Sequence, residues 1–331
     1  MTAADPKQAP VPGTAEAPGS TRFPQELMYA AASQYYLDDA NQGDIAKRLG
    51  VSRATVSRLL AEARRQGMVE IRVHRPSSLE DGPLATELAD ALGLRRVYLV
   101  PKVGGPKLGP WLAPGLTRAL AAAGLKSGDV VLVSSGSTVY ECAQEGVGWL
   151  PGVTIAPAVG GQEEPQPWFQ TNETTRILAE RVGGVPSYLY APALPGPELF
   201  NSLQHEPSVR RVMDLWARAR CAIVGVGSAP LSRQVIPAFV PSSAPSLSHA
   251  VGDVCSRFYD HEGEPVGYPG SDRLVATSLD DLRRIPVSIA VAVGAQKILS
   301  IIAGARGGYF NQLVTDVLTA EGLLAASRQA R

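Results

Sequence analysis

Three stretches of the chain set small residues between an apolar run and a helical pattern, where a backbone can cradle an anion. Val130–Val133 is followed by Ser134, Ser135, Gly136, Ser137 and Thr138; residues 221–224 by Gly225, Val226, Gly227 and Ser228; residues 289–293 by Gly294, Ala295, Gln296 and Lys297. Strand, glycine turn and helix in that order present free N–H groups and the positive end of a helix dipole, which suits a phosphate or a carboxylate. Lys297 adds to this, because a cation in the first turn of a helix is disfavoured unless an anion compensates it; a solvated surface lysine has the same signature. Asp253 and Arg257 flank apolar residues and are of the types that bond hydroxyls and an anion. The same segment also fits an Asx turn entering a strand, with a hairpin turn over 260–263. Asp253 and His261 are acid–base types, but no spacing forces them into a pair. Cys142, Cys221 and Cys255 form no CxxC, and His74, His205, His249 and His261 are scattered, so neither a metal site, a disulfide framework nor a cofactor is expected. Cysteine usage of this kind fits a reducing cytoplasm.

A second chemistry lies near the N-terminus. In residues 42–60, Ile45 and Leu49 share a helix face, Ala46 permits a close crossing, Gly50 supplies a turn, Val51 fills the space between helices and Ser52 is an N-cap. At about 100° per residue, Val56, Leu59, Leu60 and Ala63 fall on one face of the following helix. Ala54, Arg58, Ala61 and Arg65 fall on the other, flanked by Arg53, Ser57 and Arg64. An apolar back with a front of small residues and arginines is what a recognition helix presents to the major groove. Arg53, Ser57 and Arg58 are the candidates for base edges, Lys47 and Thr55 for the phosphate backbone. The 331 residues carry 31 Lys+Arg and 31 Asp+Glu, a formal net charge of zero. Between Asp44 and Arg75, however, eight basic residues face three acidic ones. A basic head sits on an acidic body, and duplex DNA is the expected partner of the head.

The elements that position these residues follow from periodicity. Residues 1–23 are rich in Pro, Ala, Gly and Thr and read as a disordered tail; their four prolines and lack of an apolar run exclude a signal peptide. Helices are expected at 26–37, 42–49 and 53–66, then a half-exposed strand through Val69, Ile71 and Val73 and a linker at 75–78. Beyond residue 79, apolar strands (96–100, 130–133, 153–158, 187–190, 222–226, 287–293, 312–314) alternate with helices (84–92, 111–123, 138–145, 174–181, 209–219, 295–303, 316–326). That alternation argues an α/β domain on a mostly parallel sheet. The Pro/Ser-rich stretch 229–248 reads as loop. Residues 287–305 are apolar but carry Lys297 and two glycines, too interrupted for a membrane span.

Taken in order, these residues resemble the SorC/DeoR-type bacterial transcriptional regulators of sugar metabolism. The head matches through Leu59, Leu60, Ala63, Arg64, Gly67, Val69 and Ile71. The body matches through Gly136-Ser137-Thr138, Gly160-Gly161, Ala191-Pro192-Ala193, Gly225 with Gly227, Gly252 to Asp260, Gly294 with Lys297, and Leu313 to Asp316 with Ala320, Leu323 and Leu324. The resemblance implies a winged helix-turn-helix over 24–76. It implies a Rossmann-like effector-binding and oligomerisation domain, similar to sugar-phosphate isomerases, over 79–331. It further implies a homotetramer, no enzymatic activity, operator DNA as one partner and a sugar phosphate as the other. Carried onto this chain, the effector residues are Ser135, Gly136, Ser137, Thr138, Gly160, Gly161, Asp253, Arg257 and Lys297. The chain departs from the family pattern at Ser256, where glycine is usual, and at Ser134-Ser135, where an aromatic is common. An isomerase or deaminase on the same fold, and a DNA-binding protein whose body only oligomerises, are the competing functions, because fold alone does not separate them.

Overall fold

The computed structural model describes residues 23–69, 82–233, 236–241 and 243–329. The expected tail up to residue 22, the expected strand beyond Val69 and the linker at 75–78 lie outside the described residues. The chain divides into two compact units, one within residues 1–75 and one within 76–331.

The first unit is three helices, α1 (Gln25–Tyr36), α2 (Gln42–Leu49) and α3 (Arg53–Arg65). Met28 and Ala31 of α1, Ile45 of α2 and Val56, Leu59 and Ala63 of α3 close a core of their own.

The second unit runs α4 (Pro83–Leu92), β1 (Arg96–Val100), α5 (Gly109–Ala122), β2 (Val130–Val133), α6 (Ser137–Glu145), β3 (Thr154–Pro157), α7 (Thr171–Val182), β4 (Val185–Pro186), α8 (Pro197–Leu203) and α9 (Pro207–Trp216). It continues with β5 (Ala219–Gly225), β6 (Gly227–Ser228), β7 (Gly252–Val254), β8 (Arg257–Tyr259), β9 (Pro265–Val266), α10 (Leu279–Arg284), β10 (Val287–Val291), α11 (Ile298–Arg306), β11 (Gln312–Asp316) and α12 (Val317–Gln329). Seven parallel strands form one sheet in the order β1-β11-β10-β5-β2-β3-β4. Its central strands are apolar on both sides because helices cover both faces. Val131, Val133, Ile223 and Ile289 pack with Leu112 and Leu116 of α5 and Leu178 of α7. Leu132, Ala222, Val224 and Ala290 pack on the opposite face with Leu88 of α4, Val212 of α9 and Leu323 of α12. The α/β body and helical head are the architecture expected from the sequence.

Four local readings change. The strand expected at 187–190 is absent: pairing is confined to Val185–Pro186, because Asn172 of α7 takes both backbone groups of Leu189 (Oδ1 accepting at 2.9 Å, Nδ2 donating at 3.0 Å) and draws the chain out of the sheet. The helix expected to reach Ala219 stops at Trp216, and Ala219 opens β5. The helix expected from Ala295 begins as a 3-10 turn over Ala295–Lys297 before α11. The segment beyond residue 226 adds an antiparallel sheet, β6-β7-β8-β9, and the loop at 229–248 is not bare: Val240 and Leu247 pack with Phe258 and Tyr268 in a small core. Among the described residues no helix is long and apolar enough to cross a membrane.

Candidate functional site

In the head, local hydrogen bonds set the angle between α2 and α3. Asn41 Oδ1 caps α2, accepting from the N–H groups of Gly43 and Asp44 at 3.0 Å each. Gly50 ends α2 at φ 67°, the left-handed value glycine accommodates without penalty, and Ser52 Oγ caps α3 by accepting from Thr55 N–H at 3.1 Å. The Thr55 hydroxyl lies 2.9 Å from Ser52 Oγ. Val56, Leu59, Leu60 and Ala63 are buried, whereas Arg53, Ala54, Ser57, Arg58, Ala61, Arg64 and Arg65 are exposed. Arg53 and Arg58 make no hydrogen bond or ion pair among the described residues, so their guanidiniums are free to meet a partner. Arg65 is not: it pairs with Glu62, and the Arg65 and Gln66 hydrogen bonds hold the Glu62 carboxyl down to about 2. Lys47 is exposed and lies 3.6 Å from Asp44.

In the body, the carboxyl ends of β2, β5 and β10 form a rim. Ser134, buried past the end of β2, accepts the Gly225 N–H at its Oγ (3.0 Å) and so stitches β2 to β5. Gly136 and Gly294 then turn the chain into helical structure with nearly the same dihedrals, φ 120°, ψ 143° and φ 111°, ψ 144°. That region of backbone space is essentially restricted to glycine, which explains both residues. After Gly136 the N–H groups of Ser137, Thr138 and Val139 head α6 without an intrahelical acceptor. The Gly136 N–H itself donates to the Trp168 carbonyl at 2.9 Å.

Lys297 is half-buried on this rim, and its Nζ has no hydrogen-bond or ion-pair partner among the described residues. Burial, and then the Arg233 charge, push its ammonium down to about 8, partly offset by Asp253. Asp253, buried in β7, pairs through Oδ1 with Arg233 and accepts the Ser256 N–H at Oδ2 (3.0 Å). Arg233 also donates from Nε to the Ser228 carbonyl at 2.7 Å, and its guanidinium lies 5.6 Å over the Phe258 ring. Arg233 was not singled out from the sequence. The signal was there: it is the sole charged residue between Ala229 and Ser248.

The remaining expected residues stand differently. Arg257 donates to three backbone carbonyls, those of Thr277 (2.8 Å), Ala276 (2.9 Å) and Leu274 (3.3 Å), and burial lowers its pKa. The Gly160 and Gly161 N–H groups are spent on the carbonyls of Val275 (2.8 Å) and Ala191 (2.9 Å). Ser135 Oγ accepts from Gln162 Nε2 at 3.2 Å. His261 is exposed beside Glu262 in the β8–β9 turn. The three cysteines are buried, and burial raises their thiols to about 12, which removes them as nucleophiles. Among the described residues no three His, Cys, Asp or Glu side chains gather as metal ligands.

The hairpin that carries Asp253 turns through two non-glycine residues with positive φ, Cys255 (54°) and Ser256 (62°). A side chain there costs about 1–2 kcal/mol, and the Ser256 hydroxyl makes no hydrogen bond among the described residues. Ser256→Gly is therefore expected to stabilise the body by about 0.5–1 kcal/mol after glycine's extra chain entropy is counted, a rise of about 2 °C in melting temperature. A fall in melting temperature would show that the serine is held by contacts worth more than its strain.

The family model described as "Putative sugar-binding domain" matches residues 79–325, and that of the Crp-like helix-turn-helix domain matches residues 27–81. The chain is 33% identical over 317 residues to a deoxyribonucleoside regulator of Bacillus subtilis, covering 92% of this chain and 98% of the relative. It is 30% identical to a sorbitol operon regulator of Klebsiella pneumoniae, covering 90% and 97%. The crystal structure of the full-length sorbitol operon regulator SorC from Klebsiella pneumoniae superposes with a TM-score of 0.64 at 28% identity, over 90% of this chain and 98% of that one.

Proposed function

Since the chain belongs to the SorC/DeoR-type family of sugar-binding transcriptional regulators, we propose that it controls carbohydrate-metabolism genes in response to a phosphorylated sugar or a related small molecule. The family is one of DNA-binding regulators rather than enzymes. The observation that carries the effector half of this reading is Lys297, a half-buried cation without an anionic partner, set on the same rim as the free N–H groups of α6. A phosphate placed there gains charge-assisted hydrogen bonds from both. Asp253 supplies an acceptor for sugar hydroxyls, and the Ser135 to Thr138 turn, Gly160 and Gly161, and Arg257 shape the walls.

For the head, α3 enters the major groove with Arg53, Ser57 and Arg58 at base edges, while Lys47 and Thr55 meet the phosphate backbone of double-stranded operator DNA. The head, 24–76, and the body, 79–331, act as separate modules of a cytoplasmic homo-oligomer, a tetramer as the resemblance implies. An effector that binds one quaternary arrangement better shifts the spacing of paired recognition helices, and that spacing decides whether the half-sites are matched.

The test is a selection of duplexes from a random pool with the full chain, followed by a thermal-shift panel of sugars, polyols and their phosphates on the same protein. A bound compound raises the melting temperature by mass action, and a hit must also change affinity for the selected duplex. Failure to select any duplex would overturn the reading. Arg58→Ala is expected to weaken binding to the selected duplex by about 10–100-fold, from the roughly 1–3 kcal/mol of one bidentate base contact, with effector affinity unchanged. Full DNA affinity in that variant would remove Arg58 from the interface.

A further inference from the structure

Residues 162–166 run along the rim beside the start of α6. Glu163 and Pro165 are exposed, while Gln162, Glu164 and Gln166 turn inward, the alternation of an extended chain. Each of the three ends in a buried oxygen, Gln162 Oε1, Glu164 Oε2 and Gln166 Oε1, that accepts no hydrogen bond among the described residues. Gln162 is only 6% exposed. Its Nε2 donates to Ser135 Oγ at 3.2 Å, which fixes the amide next to the free N–H groups of α6. Gln170 Nε2 holds the segment in place through the carbonyls of Gln162 and Glu164, at 2.9 Å each. The second carboxylate oxygen of Glu164 accepts the Ala238 N–H.

Buried polar atoms without partners are few in folded proteins. Here three sit in a row, and all are acceptors. What they lack is donors. Arg233 is neutralised by Asp253, which leaves Lys297 as a cation without an ion-pair partner among the described residues on the same rim; a further cation is disfavoured beside it, and neutral hydroxyls are the donors that fit.

We propose that Gln162 is a specificity-determining residue, accepting a hydrogen bond from a hydroxyl next to the phosphate of a polyol or sugar phosphate. Glu164 and Gln166 take hydroxyls farther along the same molecule. The proposal rests on the reading of the α6 start and Lys297 as the phosphate site, and it deepens that reading by making hydroxyl number the quantity that is sensed.

The experiment titrates the full chain with ethyl phosphate, glycerol 3-phosphate and ribitol 5-phosphate, which carry increasing numbers of hydroxyls on one phosphate. Wild-type affinity rises along the series. Gln162→Met, close in shape but without an acceptor, lowers affinity for ribitol 5-phosphate about tenfold, the equivalent of one hydrogen bond. It leaves ethyl phosphate within about twofold on the same scale. Gln162→Asn keeps the amide but withdraws it, and gives the same selective loss in a milder substitution. Equal losses for all three phosphates, or an unchanged series in both variants, overturn the proposal. If the wild type binds free ribitol but no phosphate, the phosphate reading falls by itself and the contrast between variants is read on ribitol and glycerol. If it binds no probe at all, both readings fall together.

Discussion

Lys297→Ala is expected to weaken binding of the tightest sugar phosphate from the panel by about 10–150-fold at pH 7, the worth of a hydrogen bond to a charged group, and to abolish the effector response on DNA. The wild-type pH profile identifies the same residue without a substitution. Burial and the Arg233 charge bring the Lys297 ammonium down to about 8. A bound phosphate favours the charged form, so binding above that value takes up a proton. Affinity must then fall as pH rises through 8, by up to about tenfold per unit. Below pH of about 6 the phosphate dianion itself takes up a proton and loses charge. Affinity therefore peaks near neutrality, and Lys297→Ala removes the alkaline limb while keeping the acidic one. Calorimetric titrations of the full chain from pH 5.5 to 9.5 decide this; a wild-type profile that stays level through pH 8–9 would place Lys297 away from the ligand.

A larger effect on stability is expected at Gly160. A methyl group there would lie 2.7 Å from the Ala191 carbonyl oxygen and 2.8 Å from the Pro192 carbonyl carbon and oxygen. These are backbone atoms held from both sides: Gly161 N–H donates to Ala191, Ala193 N–H returns to Gly161 at 2.7 Å, and Gly160 N–H is tied to Val275. No side chain can swing away to make room, so Gly160→Ala should cost about 3 kcal/mol or more, the upper end for overpacking. It should also displace the neighbouring Gln162 and with it effector binding. Chemical denaturation of the body measures the first effect. A loss under about 1 kcal/mol would mean that the two segments separate easily. Gly161, whose added carbon would meet only the Ala191 oxygen at 3.8 Å, is the matched control and should accept alanine.

How far the sequence discloses the site depends on how local each contact is. The Ser52 cap, the Gly50 turn and the buried face of α3 lie within three or four residues of what they bind and were readable from spacing; the Asn41 cap is equally local but was not singled out. Lys297, Gly136 and Gly294 were readable for the same reason, since each is adjacent to the helical turn it serves. Gln162 was not, and Arg233 was marked only as a lone charge in its stretch: they reach Ser135 and Asp253 across 27 and 20 residues from irregular segments, where no periodicity reports direction. The strands β6, β7, β8 and β9 span only two or three residues each, too short for alternation to register. Arg257 was readable as a charged group near Asp253, but its destination on the carbonyls of residues 274–277 depends on how two distant segments meet.

The order of the parallel sheet has a consequence in time. The strand β1 has one neighbour, β11, with Arg96 opposite Gln312, and β10 is flanked on one side by the same strand. At roughly 5–20 residues per second, a ribosome needs on the order of ten to forty seconds between them. The core of the head closes among the described residues 23–69. Every nascent chain thus passes through an interval in which the helix-turn-helix head is already closed while the sheet of the body still lacks its second-to-edge strand.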